Sequence, residues 1–294
     1  MASIESRLFY YLLRLINKKR FLEMQFAFGR FSFQNSREPP KAIRAVCNIA
    51  KRIVNGRNVF TLSPKDGLST RHILYLHGGA YIQNFVTQHW RFLSGLVKET
   101  HCTITAPDYP LAPKHTYVDA FGMVTPLYQQ IIRESGPKNT LVMGDSAGGG
   151  FALALCQQLN IDAIPQPKRI VLLSPWLDIT LSNPEIDKID PQDPFLSASG
   201  LRKAGRAYAG SSDLNNFMLS PINGLLKGLG DISIFMGTND ILAADARRLC
   251  LLAGKQGVSI DYREYKDMVH VWMLLYFRES RKAQEEIRQL ILNL

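Results

Sequence analysis

Leu141-Val142-Met143-Gly144-Asp145-Ser146-Ala147-Gly148, running on into Gly149-Gly150-Phe151-Ala152-Leu153-Ala154-Leu155, sets a serine between a short apolar run and a long one. A G-x-S-x-G string by itself is a weak signal. Here a strand is predicted over 141–143 and a helix over 147–159, which is the context of a nucleophile held on a sharp strand-to-helix turn. Such a turn needs the glycines, because a side chain two residues either way would clash with the tightly folded backbone. The helix N-terminus behind Ser146 favours an anion in front of it. Gly148-Gly149-Gly150 also admits a phosphate-binding loop, but the G-K-[ST] ending and the dinucleotide spacing are missing.

Working outward, β-branched and apolar runs at 58–62, 73–76, 103–106, 141–143, 170–173, 232–236 and 259–265 alternate with helical patterns at 91–99, 119–133, 147–159, 243–256 and 279–292. Alternation of this kind predicts an α/β fold with a mostly parallel central sheet and helices on both faces. Two segments fall outside it. Residues 1–56 carry a stripe of Leu8, Tyr11, Leu12, Leu15 and Ile16 opposite Arg7, Arg14 and Lys18. Residues 175–231 join two strands through a connection far longer than usual, with a turn expected over 190–195 and a helix over 199–208. Both are expected to build a helical cap over the C-terminal ends of the strands, the insertion covering about 178–228 of a catalytic domain at 57–294.

A serine hydroxyl needs a base, and the base an orienting carboxylate. With the chain order Ser, acid, His, the base is forced: of His72, His77, His89, His101, His115 and His270, only His270 follows Ser146. It lies just beyond the last predicted strand, on the edge that carries Ser146. The acid is expected after the strand at 232–236, where Gly237-Thr238-Asn239 leads to Asp240. Asp245 is the alternative, with a plainer role as a helix N-terminal acid. Directly after the strand at 73–76 comes His77-Gly78-Gly79-Ala80-Tyr81, whose adjacent glycines suit an oxyanion hole of Gly78 and Gly79 with Ala147. His77 is expected to orient that loop. Tyr81 and Asp145 are the candidates for substrate binding, although Tyr81 could equally pack and Asp145 could bond neighbouring loops.

His77–Tyr81, Asp108-Tyr109-Pro110-Leu111-Ala112-Pro113, GDSAGGG from Gly144, Ser174-Pro175-Trp176-Leu177-Asp178, GTNDIL from Gly237 and His270-Val271-Trp272 occur in this order. Together they resemble the hormone-sensitive-lipase family of α/β-hydrolases. The resemblance implies a serine carboxylesterase with a helical cap, the triad Ser146, Asp240 and His270, and the oxyanion hole named above; it also allows a homodimer. Ala80 replaces the third glycine of the commoner H-G-G-G form, and activity is expected to survive because the donors are assigned to Gly78 and Gly79. Pro110 and Lys114 stand where Arg and Glu are commoner, which removes an ion pair from that loop.

The substrate is expected to be a small-molecule ester of short to medium acyl chain. Lipase action at a lipid surface, amidase or acyl-transfer chemistry, and a non-catalytic binding scaffold are the alternatives; the presence of His270 weighs against the last. No cofactor is expected, and no H-E-x-x-H or Cys/His cluster suggests a metal. The net charge of +10 is concentrated at the N-terminus, residues 1–60 holding 12 basic and 3 acidic side chains. Without a nucleic-acid motif, no nucleic-acid partner is expected. The basic amphipathic helix expected over 3–20 could meet an anionic membrane, but packing of its stripe into the cap is the expectation. Four widely spaced cysteines form no C-x-x-C pair, no signal peptide is read, and a cytoplasmic location is expected.

Overall fold

The computed structural model describes residues 2–29, 38–67 and 69–294. Among these, the strands are β1 (Asn48–Val54), β2 (Arg57–Ser63), β3 (His72–Leu76), β4 (Thr103–Pro107), β5 (Thr140–Asp145), β6 (Arg169–Leu173), β7 (Asp231–Asn239) and β8 (Ile260–Val269). They form one sheet in the order β1-β2-β4-β3-β5-β6-β7-β8. β2 runs antiparallel to β1 and β4, and all pairings from β4 to β8 are parallel. The helices are α1 (Ile4–Leu15), α2 (Phe21–Phe28), α3 (Thr87–Thr100), α4 (Tyr117–Ser135), α5 (Ala147–Ile161), α6 (Glu185–Ile189), α7 (Ala198–Ala209), α8 (Ala243–Lys255) and α9 (Arg278–Leu292).

Side chains alternate across each strand, so a strand covered on both faces must be apolar throughout. β3 shows this directly. Its Ile73 and Tyr75 belong to the core layer that also holds Leu93 and Leu96 of α3 and Ile287 of α9, whereas Leu74 and Leu76 belong to the layer on the other face, with Val124 of α4 and Phe151 of α5. The chain reverses its direction of travel through the sheet at β3, which lies between β4 and β5, and ligands in open α/β sheets bind beyond the strand C-termini at such a point.

Three boundaries differ from the sequence expectation. Residues 48–54, counted with the N-terminal cap segment, form the edge strand β1; Lys51 and Arg52 keep it exposed and without alternation, as edge strands require. The helix expected over 3–20 ends at Leu15, because Asn17 turns left-handed at φ 51° before a short 3-10 turn leads into α2. β8 runs past Tyr265 to Val269 through an irregularity opposite Gly237 and Asn239, with Asp267 at φ 63°.

The N-terminal segment and the long insert meet over the C-terminal edge of the sheet. α2 packs on α7 closely enough that a Cβ on Gly200 would lie 3.1 Å from Leu22. Lys19 pairs with Asp190 at 2.7 Å, and Tyr10 Oη–H donates to the Gln192 carbonyl at 3.0 Å. The stripe expected to pack does the opposite: α1 buries Ser6 and Leu13 and sets Phe9 against Phe277, turning Leu8, Tyr11, Leu12 and Leu15 outward.

Candidate active site

Ser146 follows β5 directly and caps α5 with φ 53° and ψ −122°, a backbone conformation that costs a non-glycine residue on the order of 1–3 kcal/mol. The surroundings leave it no alternative. Its N–H donates to the Leu173 carbonyl at 2.8 Å, and its own carbonyl accepts from Trp176 N–H at 2.9 Å. A Cβ at Gly148 would run into the carbonyl oxygens of Leu76 and His77, and one at Gly144 into the Gly148 carbonyl. Both glycines are therefore imposed by backbone approaching backbone.

Three strand ends bring the expected triad together. Ser146 Oγ–H donates to His270 Nε2 at 2.8 Å, and His270 Nδ1–H donates to Asp240 Oδ2 at 2.7 Å; all three side chains are buried. The loop bearing His270 is pinned where Val271, at φ 49°, donates its N–H to Ser174 Oγ at 3.1 Å. Burial disfavours the imidazolium, but the Asp240 carboxylate outweighs it, with help from Asp193 and Asp145, and holds His270 above the ordinary histidine value. Asp245 is not part of this chain. It lies in α8, accepts from Asn183 Nδ2 at 3.0 Å, and is raised to about 6 mainly by burial.

A second buried carboxylate stands beside the triad. Asp193 Oδ1 accepts the N–H groups of Phe195 and Leu196 at 2.7 and 2.9 Å, and Oδ2 accepts that of Ile241 at 2.9 Å. Burial first, and the neighbouring charge of Asp240 second, push its carboxyl upward despite those donors. Sequence reading took residues 190–195 as a turn and missed this residue. Its signal was an acid and a proline, Asp193-Pro194, followed by Phe195-Leu196 and the N-cap Ser197 of α7, inside an insert that crosses the strand ends.

The oxyanion loop requires one correction. Gly78 N–H is not available to a ligand, because it donates to Asp145 Oδ1 at 2.9 Å. Of residues 77–81, Gly79 and Ala80 line the cavity, the latter left-handed at φ 53°. Alanine at position 80 keeps its N–H, so the absent third glycine removes no donor. Asp145 also accepts from Tyr75 Oη at 2.6 Å and meets His89 Nε2 at 3.3 Å. Burial opposes its charge, but these donors prevail and hold the carboxyl below the usual range. It lines the cavity wall while its carboxylate is bonded to Tyr75 of β3, Gly78 of the loop and His89 of α3.

Tyr81, a substrate-binding candidate, is placed away from the cavity. Its ring stacks on Tyr208 at 3.8 Å and on Trp176 at 5.6 Å. His77 is buried between Phe85 and Tyr109 and bonds the Gly78 carbonyl through Nδ1 at 2.6 Å. Burial lowers it to about 3, so it is neutral and holds the loop. The ion pair lost with Pro110 and Lys114 has a substitute from β2: Arg57 donates to the carbonyls of Asp108 and Tyr109 and pairs with the Asp108 carboxylate.

A cavity of about 610 Å³ opens onto Ser146 and His270. Phe9, Leu13, Phe21 and Leu22 line it from the N-terminal segment, and Phe195, Leu196 and Leu201 from the insert. Lys18 stands at its wall, its ammonium 3.9 Å from the centre of the Phe21 ring. Among the described residues no cluster of His, Cys, Asp and Glu could hold a metal ion.

The model of the α/β hydrolase fold family matches residues 73–274. The chain is 30% identical over 218 residues to an acetyl-hydrolase of Streptomyces hygroscopicus, covering 73% of each protein. It is 28% identical over 226 residues to an esterase of Acinetobacter venetianus, covering 75% of this chain and 74% of that protein. Among solved structures, a hormone-sensitive lipase from a metagenome library superimposes with a TM-score of 0.85 at 26% identity, covering 99% of both chains. The chain belongs to the α/β-hydrolase fold family, within its hormone-sensitive-lipase-like esterases.

Proposed function

We propose that this protein hydrolyses carboxylic esters of short to medium acyl chain through an acyl-enzyme on Ser146. The observation that carries the reading is the continuous hydrogen-bonded chain from Asp240 through His270 to Ser146, opening into a mainly apolar cavity. Ser146 Oγ attacks the ester carbonyl carbon as its proton passes to His270 Nε2; the imidazolium is stabilised by Asp240 and returns the proton to the leaving alkoxide. Water then repeats the cycle on the acyl-enzyme with His270 again as base. The N–H groups of Gly79, Ala80 and Ala147 form the oxyanion hole in this reading, supported by the position of the first two on the cavity wall and of the third at the start of α5.

α1, α2 and the insert act as the cap. Apolar side chains from both segments enclose the cavity, and its volume suits one acyl chain better than a bulky triester. A small-molecule ester is the partner, and the four free cysteines fit a reducing cytoplasmic setting.

The test is release of p-nitrophenol from acetyl, butyryl, octanoyl and palmitoyl esters by wild type and Ser146→Ala. Turnover of the shorter esters that falls towards palmitoyl and disappears in the variant supports the reading. Equal turnover by both proteins would overturn it.

A further inference from the structure

α1 has two apolar faces, and among the described residues only one is packed against the rest of the protein. Its inner face is anchored to α9: the Ser3 N–H donates to Glu279 Oε1 at 2.7 Å, and the rings of Phe9 and Phe277 lie 5.2 Å apart. On the opposite face Ile4, Leu8, Tyr11, Leu12, Leu15 and Ile16 are 50–83% exposed. Their spacing of three and four places them on one side of the helix, and the anchored inner face presents that side in a fixed orientation. Met24 and Phe28 of α2 are also exposed. Ile16 and Met24 belong to this exposed set and to the cavity wall, so the apolar surface is continuous with the mouth of the site.

The charges around the face have one predominant sign. Arg7 and Arg14 flank it and Arg20 follows on the linker to α2, all exposed, and Lys18 places its ammonium at the cavity wall. A helix with an apolar face bordered by Arg and Lys binds at the headgroup boundary of anionic lipid by apolar burial and electrostatic attraction together. A second copy would set this face against a surface of the same net positive charge, since Glu5 is the one acid in α1 against Arg7 and Arg14, which like-charge repulsion opposes.

We propose that the outer face of α1, extended by Met24 and Phe28, docks on an anionic lipid surface and sets the mouth of the Ser146 cavity at the interface. The substrate class that follows is an amphiphilic ester with one chain able to leave the surface and enter the cavity, its anionic end near Lys18. That substrate assignment rests on the proposed ester hydrolysis; the docking is read independently of it.

The experiment is co-sedimentation of the full chain with vesicles of phosphatidylcholine, alone or with phosphatidylglycerol as one lipid in three, alongside p-nitrophenyl butyrate hydrolysis in solution by the same preparations. Wild type and Ser146→Ala are expected to pellet alike with the anionic vesicles and at least about tenfold less with the neutral ones. Leu8→Ser/Leu15→Ser, altered only at exposed positions outside the cavity wall, should lose about tenfold or more in partitioning while keeping solution hydrolysis. Arg7→Gln/Arg14→Gln should weaken binding by roughly fivefold per charge removed at low salt. Failure of wild type to pellet with anionic vesicles at low salt, or undiminished pelleting of the double-leucine variant, overturns the docking. So does a concentration-dependent dimer that Leu8→Ser/Leu15→Ser converts to monomer without lipid binding. Pelleting without hydrolysis of any ester leaves the docking standing and removes the proposed function.

Discussion

Asp193 Oδ2 accepts the N–H of Ile241 at 2.9 Å, and Ile241 is the residue after Asp240. The insert is thereby fastened to the loop that carries the triad acid, while the other oxygen of the same carboxylate shapes Phe195 and Leu196 into the cavity wall. A single buried carboxylate links the cavity wall with the loop of the acid hydrogen-bonded to His270. The Phe195 ring in turn lies 5.6 Å from the His270 ring.

Asp193→Asn should therefore move the pH profile. His270 works as a base only when neutral, and it is held above the ordinary histidine value partly by the charge of Asp193. Removing that charge disfavours the imidazolium, so the acid limb of kcat/KM is expected to shift to lower pH. An unchanged acid limb would show that Asp193 acts only through the geometry of its backbone bonds.

The two candidate acids separate in the same assay. Asp240→Asn is expected to lower kcat by about ten-thousandfold, since an amide there favours the wrong imidazole tautomer; Asp245→Asn should leave kcat within about threefold, in keeping with ordinary non-contact positions. Asp245 bears on stability instead. Asp245 has its folded value raised to about 6 from 3.8, so the unfolded chain releases this proton first. The contribution is full below the unfolded value and is lost as pH rises through the folded one. Wild type should accordingly lose melting temperature between pH 4 and pH 6 relative to Asp245→Asn.

Asp145→Ala removes the acceptor of Gly78 N–H and Tyr75 Oη and loosens the turn that presents Gly79 and Ala80. If that turn forms the oxyanion hole, kcat falls by roughly tenfold to a hundredfold with KM nearly unchanged, less than the loss of a donor itself. A rise in KM at constant kcat would instead assign Asp145 to substrate binding.

Gly148→Ala should abolish soluble expression or lower the melting temperature by many degrees, because the added methyl meets the backbone of Leu76 and His77 and not a mobile side chain. Overpacking of this kind costs typically about 1–3 kcal/mol even where side chains can yield. Gly254→Ala, in α8 with open space at its Cβ, is the control and should be neutral or slightly stabilising.

What the sequence made legible was whatever depends on periodicity and on forced choice. The buried strands could be read because both of their faces are covered, and His270 because no other histidine follows Ser146. β1 was not legible, since an exposed edge with Lys51 and Arg52 lacks alternation. The direction of α1 was not legible either: apolar periodicity identifies a face but not what covers it, and here the weaker-looking face of Ser6, Phe9 and Leu13 is the packed one. Assigning a hole donor to Gly78 failed because its N–H is claimed by Asp145, a contact between residues 67 positions apart.

The most direct measurement is labelling with a fluorophosphonate, followed by peptide mass spectrometry on wild type, Ser146→Ala and His270→Ala. The account predicts one adduct per chain on the peptide bearing Ser146, no adduct in Ser146→Ala, and labelling slowed by about a thousandfold or more in His270→Ala. An adduct on another residue, or labelling of His270→Ala at the wild-type rate, would contradict the claim that His270 activates Ser146 as the nucleophile.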